Sequence, residues 1–367
     1  MSPNKQFSAK PRVQNLVKPG SFFIPFESQS VLFYPDLYHK FLNKEQRVYY
    51  QAKDHNLLLK NLQVLVTTDL EECRRLWQEF SPQQGLFDTW EFRLAFYQGY
   101  HHQPYFLVFK TATENLALLP LWYEADKQKY FWFGSWWQEE NKFFVKDDLL
   151  IPLLLAVCPR PVLLNAISDD VPAWVRRVIK FTADDPKYIL DLVGLTDADD
   201  FLATFNKKRR YNFRRDRRII ISQRPQVIFD RLTDFKQLIS LSKARFQQKG
   251  EETDWEDPRR VKTFAAVIRL GRQAQGFDIR MITVKIGAKV AAVDLIALCH
   301  GCYYPMKCGY NVKEFPGIGN YMNLLEINDA ISLGAKKMDF LEIGYGWKDR
   351  WFTAVPLLKF ARRRYHL

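Results

Sequence analysis

Two carboxylates and one tyrosine are the candidates for a proton-transfer role. Asp294 is a charge inside the apolar run AAVDLIAL, Glu342 ends the segment MDFLEIG, and Tyr310 ends the segment CYYPMKCGY. A carboxylate can act as general base towards an amine or hydroxyl, and a tyrosine can support an oxyanion. Strand alternation favours a solvated face for Asp294, so Glu342 is the stronger catalytic candidate.

A glycine-containing turn separates a strand pattern from a helix pattern in the segment EFPGIGN. Backbone N–H groups at such a turn can bind a phosphate, although the same glycines also suit a tight strand-to-helix connection. Lys348 in the following GWKDRW segment can neutralise a phosphate or an oxyanion. The candidate ligand-binding residues are Gly317, Ile318, Gly319, Asn320 and Lys348.

The run KKRRYNFRRDRR carries eight basic residues in twelve, with Tyr211 and Phe213 between them. On a helix, Lys207, Arg210, Arg214 and Arg218 form one stripe. A phosphate backbone or an acidic carrier helix can lie along such a stripe. A solvated basic face is the alternative, and the run alone leaves both open.

The segment CHGC suggests a zinc ligand pair at Cys299 and Cys302, but a structural zinc site needs a second pair at comparable spacing. Two adjoining strands explain the spacing equally well. We therefore predict no metal site. The five cysteines are expected to be reduced thiols, because a chain of this size can build a core without disulfides.

The chain has 367 residues, 54 Lys and Arg against 41 Asp and Glu, a net charge of +13 and a pI near 9.4. An anionic partner is therefore favoured over a cationic one. The segment MSPNKQFSAKPR lacks the apolar run of a secretory signal, and no apolar stretch reaches the roughly 20 residues that cross a bilayer. We expect a cytosolic protein without a membrane span.

Strand and helix patterns alternate along the chain, which predicts an α+β fold with mixed, mostly antiparallel sheets flanked by helices. A helix capped by TDADD is predicted to run to about Arg218. The helix after EFPGIGN is predicted to place Glu326 away from its apolar face. The segment VPLLKFARR is predicted to be a last edge strand. Three regions follow: an irregular leader (1–60), an N-terminal domain (61–183) and a C-terminal domain (184–367).

The region from about 60 to 360 resembles the acyltransferases of the GNAT superfamily, in the tandem form of the Fem-type peptidyltransferases and of GNAT-like proteins associated with polysaccharide biosynthesis. The resemblance rests on KKRRYNFRRDRR, KVAAVDLIAL, the long segment GYNVKEFPGIGNYMNLLEINDAISLGAKKMDFLEIG, and Lys348 with Trp351 in GWKDRW. It implies tandem GNAT-like domains, with the N-terminal one a degenerate copy that forms the other wall of the cleft and helps to hold the acceptor.

The resemblance also implies an activity, which is direct transfer of an acyl group from an activated carrier to an amine or hydroxyl. No tightly bound cofactor is implied, and acyl-CoA or another acyl carrier is the co-substrate. Glu314 stands where the family usually has Arg or Gln. A negative charge at this position favours a carrier larger than coenzyme A, which is acyl carrier protein or charged tRNA. The acceptor is a small molecule or a glycan. The alternatives are a Fem-like aminoacyl-tRNA-dependent transferase and a non-catalytic nucleic-acid-binding protein on the same fold.

Overall fold

The computed structural model describes residues 29–32, 62–135, 137–273, 276–343 and 346–363. The predicted leader 1–60 lies outside the described residues, apart from the strand at 29–32. In chain order the elements are β1 (Gln29–Leu32), β2 (Gln63–Thr67), α1 (Leu70–Phe80), α2 (Trp90–Tyr100), β3 (Gln103–Lys110), β4 (Asn115–Glu124), β5 (Lys129–Trp132), β6 (Phe144–Val145), α3 (Leu150–Val157), β7 (Val162–Ser168), α4 (Ala173–Val178), β8 (Thr182–Asp191), α5 (Ala198–Ala203), α6 (Lys207–Ser222), β9 (Gln226–Phe229), α7 (Phe235–Lys249), α8 (Pro258–Gly271), β10 (Asp278–Ile286), β11 (Lys289–Cys299), β12 (Cys302–Tyr310), α9 (Ile318–Ser332), β13 (Lys337–Glu342) and β14 (Thr353–Arg362).

A polar cap corrects one predicted element. The single helix predicted to run to about Arg218 is wrong, because the chain forms α5 and α6 with a break at 204–206. Asn206 starts the second helix, where its side chain accepts the N–H of Arg209 at 2.9 Å. The cap satisfies one of the N–H groups that a helix start leaves unpaired, so the basic run becomes a helix of its own.

One sheet joins the strands in the order β1-β2-β3-β4-β5-β7-β14-β8-β13-β12-β11-β10-β9, with β6 beside β4. The order repeats one unit twice, here called the N-terminal half (β2 to β7) and the C-terminal half (β9 to β13). Each half is a strand, two helices, three further strands in an antiparallel meander, a helix, and a strand parallel to the last of the meander. The predicted α+β fold with mostly antiparallel pairing is confirmed.

The last strand lies at the centre of the sheet. The prediction of an edge strand is wrong, because β14 pairs with β7 on one side and β8 on the other. Leu357 and Phe360 are buried there. The predicted domain boundary at 183–184 falls inside β8. The strands β14 and β8 lie between β7 of the N-terminal half and β13 of the C-terminal half, so they join the two halves.

Helices from both halves also share a core. Phe96 of α2 and Phe264 of α8 belong to one hydrophobic cluster, with ring centroids 6.2 Å apart. The two helices approach closely at Gly99, where a Cβ atom would lie 1.9 Å from Oγ1 of Thr263. None of the helices in the described ranges is long and apolar enough to cross a membrane.

Candidate functional site

The parallel strands β12 and β13 separate soon after they meet. In the described residues they pair at Cys302–Lys337 and Tyr303–Met338. Beyond this point the pairing of β13 with β8 is irregular, and Leu341 and Ile343 have φ angles of 66° and 64°. Left-handed backbone at such residues costs about 1–3 kcal/mol each and persists where neighbouring contacts hold it. The end of β13 is therefore a strained segment beside a gap in the sheet.

Lys348 is one of the groups that hold this segment. Its buried ammonium donates to the carbonyl oxygens of Phe340 at 2.5 Å and Glu342 at 2.7 Å. Burial lowers the pKa of Lys348, while the carboxylate of Glu139 acts in the opposite direction. The predicted ligand-binding lysine thus directs its charge to the backbone of β13.

Glu342 is half-buried at the end of β13, and Oε1 is buried without a hydrogen bond among the described residues. Burial, with the nearby Glu139 carboxylate, raises the pKa of Glu342 to about 9. The backbone N–H of Glu342 donates to Oε2 of Glu139 at 2.5 Å. Two carboxyl groups, one from each half, therefore meet at the gap.

Glu139 was not among the residues predicted from the sequence. It lies in the segment GSWWQEENK, which has no periodic pattern, and the one available signal is its pair of adjacent acidic residues. Burial raises the pKa of Glu139 to about 7, while the N–H of Glu342 lowers it. Its role depends on a contact across about 200 residues, which no local pattern reveals.

The neighbouring Glu140 is linked to the C-terminal half through Lys187 of β8. Lys187 of β8 donates to Glu140 and, at 3.3 Å, to Oδ2 of Asp339. Burial alone would lower the pKa of Lys187, but the Asp339 and Glu140 carboxylates raise it. This buried ion-pair network ties the N-terminal half to β13.

Asp294 and Tyr310, the other predicted catalytic residues, lie together beneath α9. The Tyr310 hydroxyl donates to Oδ2 of Asp294 at 3.0 Å. The solvated face expected for Asp294 is wrong, since its side chain is 1% exposed. The outward position predicted for Glu326 is also wrong, because Glu326 is 2% exposed and faces Asp294. The outward prediction failed because α9 is buried on more than its apolar stripe.

Burial raises the pKa of Asp294 to about 7, and the hydrogen bond from Tyr310 opposes this shift. Burial and the Asp294 carboxylate raise the pKa of Glu326 well above its usual range. Two carboxyl groups this close cannot both ionise, so they share a proton. Asp294 contacts Glu326 and Tyr310 here, whereas Glu342 meets Glu139 at the end of β13.

The predicted phosphate turn is covered by α6. Gly317 has a φ angle of 89°, and a Cβ atom there would lie 2.8 Å from Cβ of Asp216. Nδ2 of Asn320 donates to Oδ2 of Asp216 at 2.7 Å. Ile318 is fully buried, and Gly319 faces the ring of Tyr310. A side chain of α6 with a carboxylate therefore lies against the turn that the sequence predicts to bind a phosphate.

Glu314 points elsewhere. Its carboxylate pairs with Lys289 and accepts from Nδ2 of Asn311 at 3.1 Å. The hydrogen bond from Lys289 lowers the pKa of Glu314. In this structure the acidic residue at the turn is Asp216 rather than Glu314.

The predicted basic stripe lies on the outer face of α6. Lys207, Arg214 and Arg218 are exposed, and Arg210 is half-buried. Tyr211 lies between them and is 58% exposed. Arg214 lies 3.4 Å from Asp199, a contact that leaves much of its side chain open to solvent. The stripe is thus available to an anionic partner.

The cysteine pair sits across a hairpin. Cys299 and Cys302 face each other at the turn between β11 and β12, so adjoining strands account for the spacing. Burial raises the pKa of both thiols to about 12, which makes them poor nucleophiles. Within the described ranges, no group of three or more His, Cys, Asp and Glu side chains is placed to hold a metal ion.

Comparison with known proteins agrees with this architecture. Residues 207–349 match the Acetyltransferase (GNAT) domain. FemX matches with 10% identity and a TM-score of 0.55 over 81% of this chain and 97% of its own. L-PGS from Bacillus licheniformis matches with 11% identity and a TM-score of 0.50 over 82% and 94%.

A conserved protein of unknown function from Bacteroides thetaiotaomicron VPI-5482 matches with 13% identity and a TM-score of 0.51 over 80% of this chain and 98% of its own. No curated protein matches the chain. The domain match supports a transferase of the GNAT type. The chain has a tandem GNAT-like fold, and the match to the GNAT domain begins at α6 and ends after β13.

Proposed function

We propose that the chain transfers an acyl group from acyl-CoA or acyl carrier protein to an amine or hydroxyl acceptor, on a small molecule or a glycan, by direct attack. The observation that carries this proposal is Glu342, a half-buried carboxyl group at the end of β13, beyond the pairing of β13 with β12, with one oxygen that has no hydrogen bond among the described residues. The ionised form of this carboxyl group can take a proton from an incoming acceptor. Because burial raises its pKa to about 9, the ionised fraction, and with it the rate, should rise with pH.

The reaction then needs no covalent enzyme intermediate. The acceptor nitrogen or oxygen forms a bond to the acyl carbon, the C–S bond of the thioester breaks, and the carrier departs as a thiolate. The acceptor proton passes to the ionised carboxylate of Glu342 and from there to the thiolate, so that the carrier is released as its thiol. Backbone N–H groups on the β12 side of the gap can support the oxyanion. On the β13 side the N–H groups of Leu341 and Glu342 already bind Asp339 and Glu139. The Tyr310 hydroxyl and the Lys348 ammonium are also engaged, with Asp294 and with β13 carbonyl oxygens.

The test is thiol release from acetyl-CoA, longer acyl-CoA and acyl carrier protein, with a panel of amines and hydroxyl compounds. We expect acceptor-dependent release that falls about 100-fold or more in Glu342→Gln, since a general base contributes about 10²–10⁴-fold. Glu79→Gln, at an exposed residue of α1, is the matched control. Release by no thioester, or full release by Glu342→Gln, would contradict the proposal.

Charged tRNA is a second candidate donor, favoured by the exposed stripe on α6 and by Asp216 at the turn. Aminoacyl transfer from labelled charged tRNA, lost in Arg214→Glu/Arg218→Glu, would favour it over a thioester donor. The affinity for RNA should also fall steeply with salt. RNA binding without transfer would instead indicate the non-catalytic nucleic-acid-binding alternative.

A further inference from the structure

We propose that Glu139 of the N-terminal half is a positioning residue for Glu342, so that the transfer site is shared between the two halves. This inference rests on the proposed function, in which Glu342 is the base. Glu139 itself contacts the backbone of Glu342, and it acts on the reaction through that residue.

The contact is made where the backbone is strained. Oε2 of Glu139 accepts the N–H of Glu342 at 2.5 Å, between the left-handed residues Leu341 and Ile343. Lys348 binds the carbonyl oxygen of the same residue at 2.7 Å. The peptide groups on both sides of the Glu342 Cα atom are thus fixed by side chains, which sets the direction of its carboxyl group.

Glu139 is itself held in place by the fold of its own half. The buried guanidinium of Arg93 donates to the carbonyl oxygens of Phe133 at 3.0 Å and Glu140 at 3.4 Å, and to Oδ1 of Asn141 at 2.9 Å. The backbone of Asn141 pairs with β7, since its N–H donates to Ala166 at 2.7 Å. The loop that carries Glu139 is therefore anchored at both ends of the acidic pair.

Glu139 also changes the charge around Glu342. The carboxylates that raise the pKa of Glu342, after burial, are Glu139 and then Asp184 and Asp185 of β8, while Lys359 of β14 lowers it. Other charged groups near this end of β13 are Lys348, Asp339, Lys187 and Glu140. Glu139 has the largest effect among these carboxylates, so neutralising it should lower the pKa of Glu342.

The experiment compares Glu139→Gln with Glu140→Gln. Glutamine keeps an oxygen that can accept the Glu342 N–H but removes the charge, whereas Glu140 contacts Lys187 and Ser168 rather than Glu342. The carboxyl titration of Glu342 is followed by NMR of selectively ¹³C-labelled glutamate, assigned with Glu342→Gln. The pH dependence of kcat/KM is measured on the same proteins.

We expect the Glu342 midpoint to fall by about one pH unit in Glu139→Gln and to move less in Glu140→Gln, because a carboxylate at short range shifts a pKa by this order. The acid limb of the rate profile should move with it. An unchanged midpoint in Glu139→Gln, or equal shifts in both variants, overturns the inference even if transfer is observed. A shifted midpoint in a protein without transfer supports the pairing and instead counts against the proposed function.

Discussion

The two halves of the molecule share one order of elements but close their parallel strand pairs differently. In the N-terminal half, residues 133–149 separate β5 from α3, and Asn141 in this stretch bridges to Ile167 of β7. In the C-terminal half, residues 311–317 lead directly into α9, and the gap between β12 and β13 is met by Glu139 from the other half. The N-terminal half thus fills its own gap through Asn141 and contacts the gap of the C-terminal half through Glu139.

The halves also bury charge in different ways. The N-terminal half holds a guanidinium, Arg93, among backbone carbonyl oxygens, whereas the C-terminal half holds the carboxyl pair of Asp294 and Glu326. A buried ionisable group keeps its charge where hydrogen bonds replace its lost hydration, and otherwise it takes its neutral form. The first arrangement stabilises a loop, and the second makes the stability of the C-terminal half depend on pH.

The largest effect is expected from breaking the loop of the N-terminal half. Arg93→Met removes donors to Phe87, Phe133, Glu140 and Asn141 and leaves their oxygens buried. We expect the free energy of unfolding to fall by about 3–5 kcal/mol, because each buried oxygen left without its donor costs about 1–3 kcal/mol. Urea denaturation followed by tryptophan fluorescence measures it.

The control is Arg75→Met in α1, which breaks exposed pairs with Glu72 and Glu79. Exposed ion pairs contribute about 0–1 kcal/mol, so this arginine should matter little. Equal losses in the two variants would mean that Arg93 does not organise the loop.

The second effect concerns the carboxyl pair of the C-terminal half. Burial raises the pKa of Asp294 to about 7, above the unfolded value near 3.9. The group therefore stabilises the fold most below about pH 4, and this contribution is lost as the pH rises towards 7. Relative to Asp294→Asn, the wild type should lose about 1.4 kcal/mol per pH unit across this range, measured by denaturation at each pH.

Asp199→Asn provides the comparison for this prediction. The hydrogen bond from Arg217 lowers the pKa of Asp199, so its contribution is present above the unfolded pKa and lost only in acid. The difference between this variant and the wild type should stay nearly flat from pH 5 to 7. A flat difference for Asp294→Asn as well would show that Asp294 is ionised in the folded protein.

Sequence patterns were sufficient for most of the elements, because caps and periodicity are local. Asp257 before Pro258 is a helix-start signal, and α8 begins there, while Gly250 is a helix-stop signal that follows the last residue of α7. The position of β14 was missed for the opposite reason. Nothing within VPLLKFARR records that β7 and β8 lie on either side of it, since both neighbours are remote in sequence.

The candidate site shows the same difference between local signals and contacts that are remote in sequence. Glu342 was predicted as a site residue because it follows an apolar strand pattern next to a loop, which is a local signal. Glu139 and Asp216 were missed as partners of Glu342 and Gly317, because each contact joins segments more than 100 residues apart. The glycine turn was predicted as a phosphate site or a tight connection, and no local pattern could show that Asp216 of α6 lies against it.

The smallest effect concerns the close contact between α6 and the turn at Gly317. Gly317 and Gly334 both have left-handed backbone, at φ angles of 89° and 71°, but an added Cβ atom meets Asp216 at Gly317 and nothing within 4 Å at Gly334. Gly334→Ala should cost about 1 kcal/mol from the backbone alone. Gly317→Ala should cost about 1–3 kcal/mol more, because α6 must shift. Denaturation of both variants gives the difference, and equal losses would mean that α6 does not close over the turn.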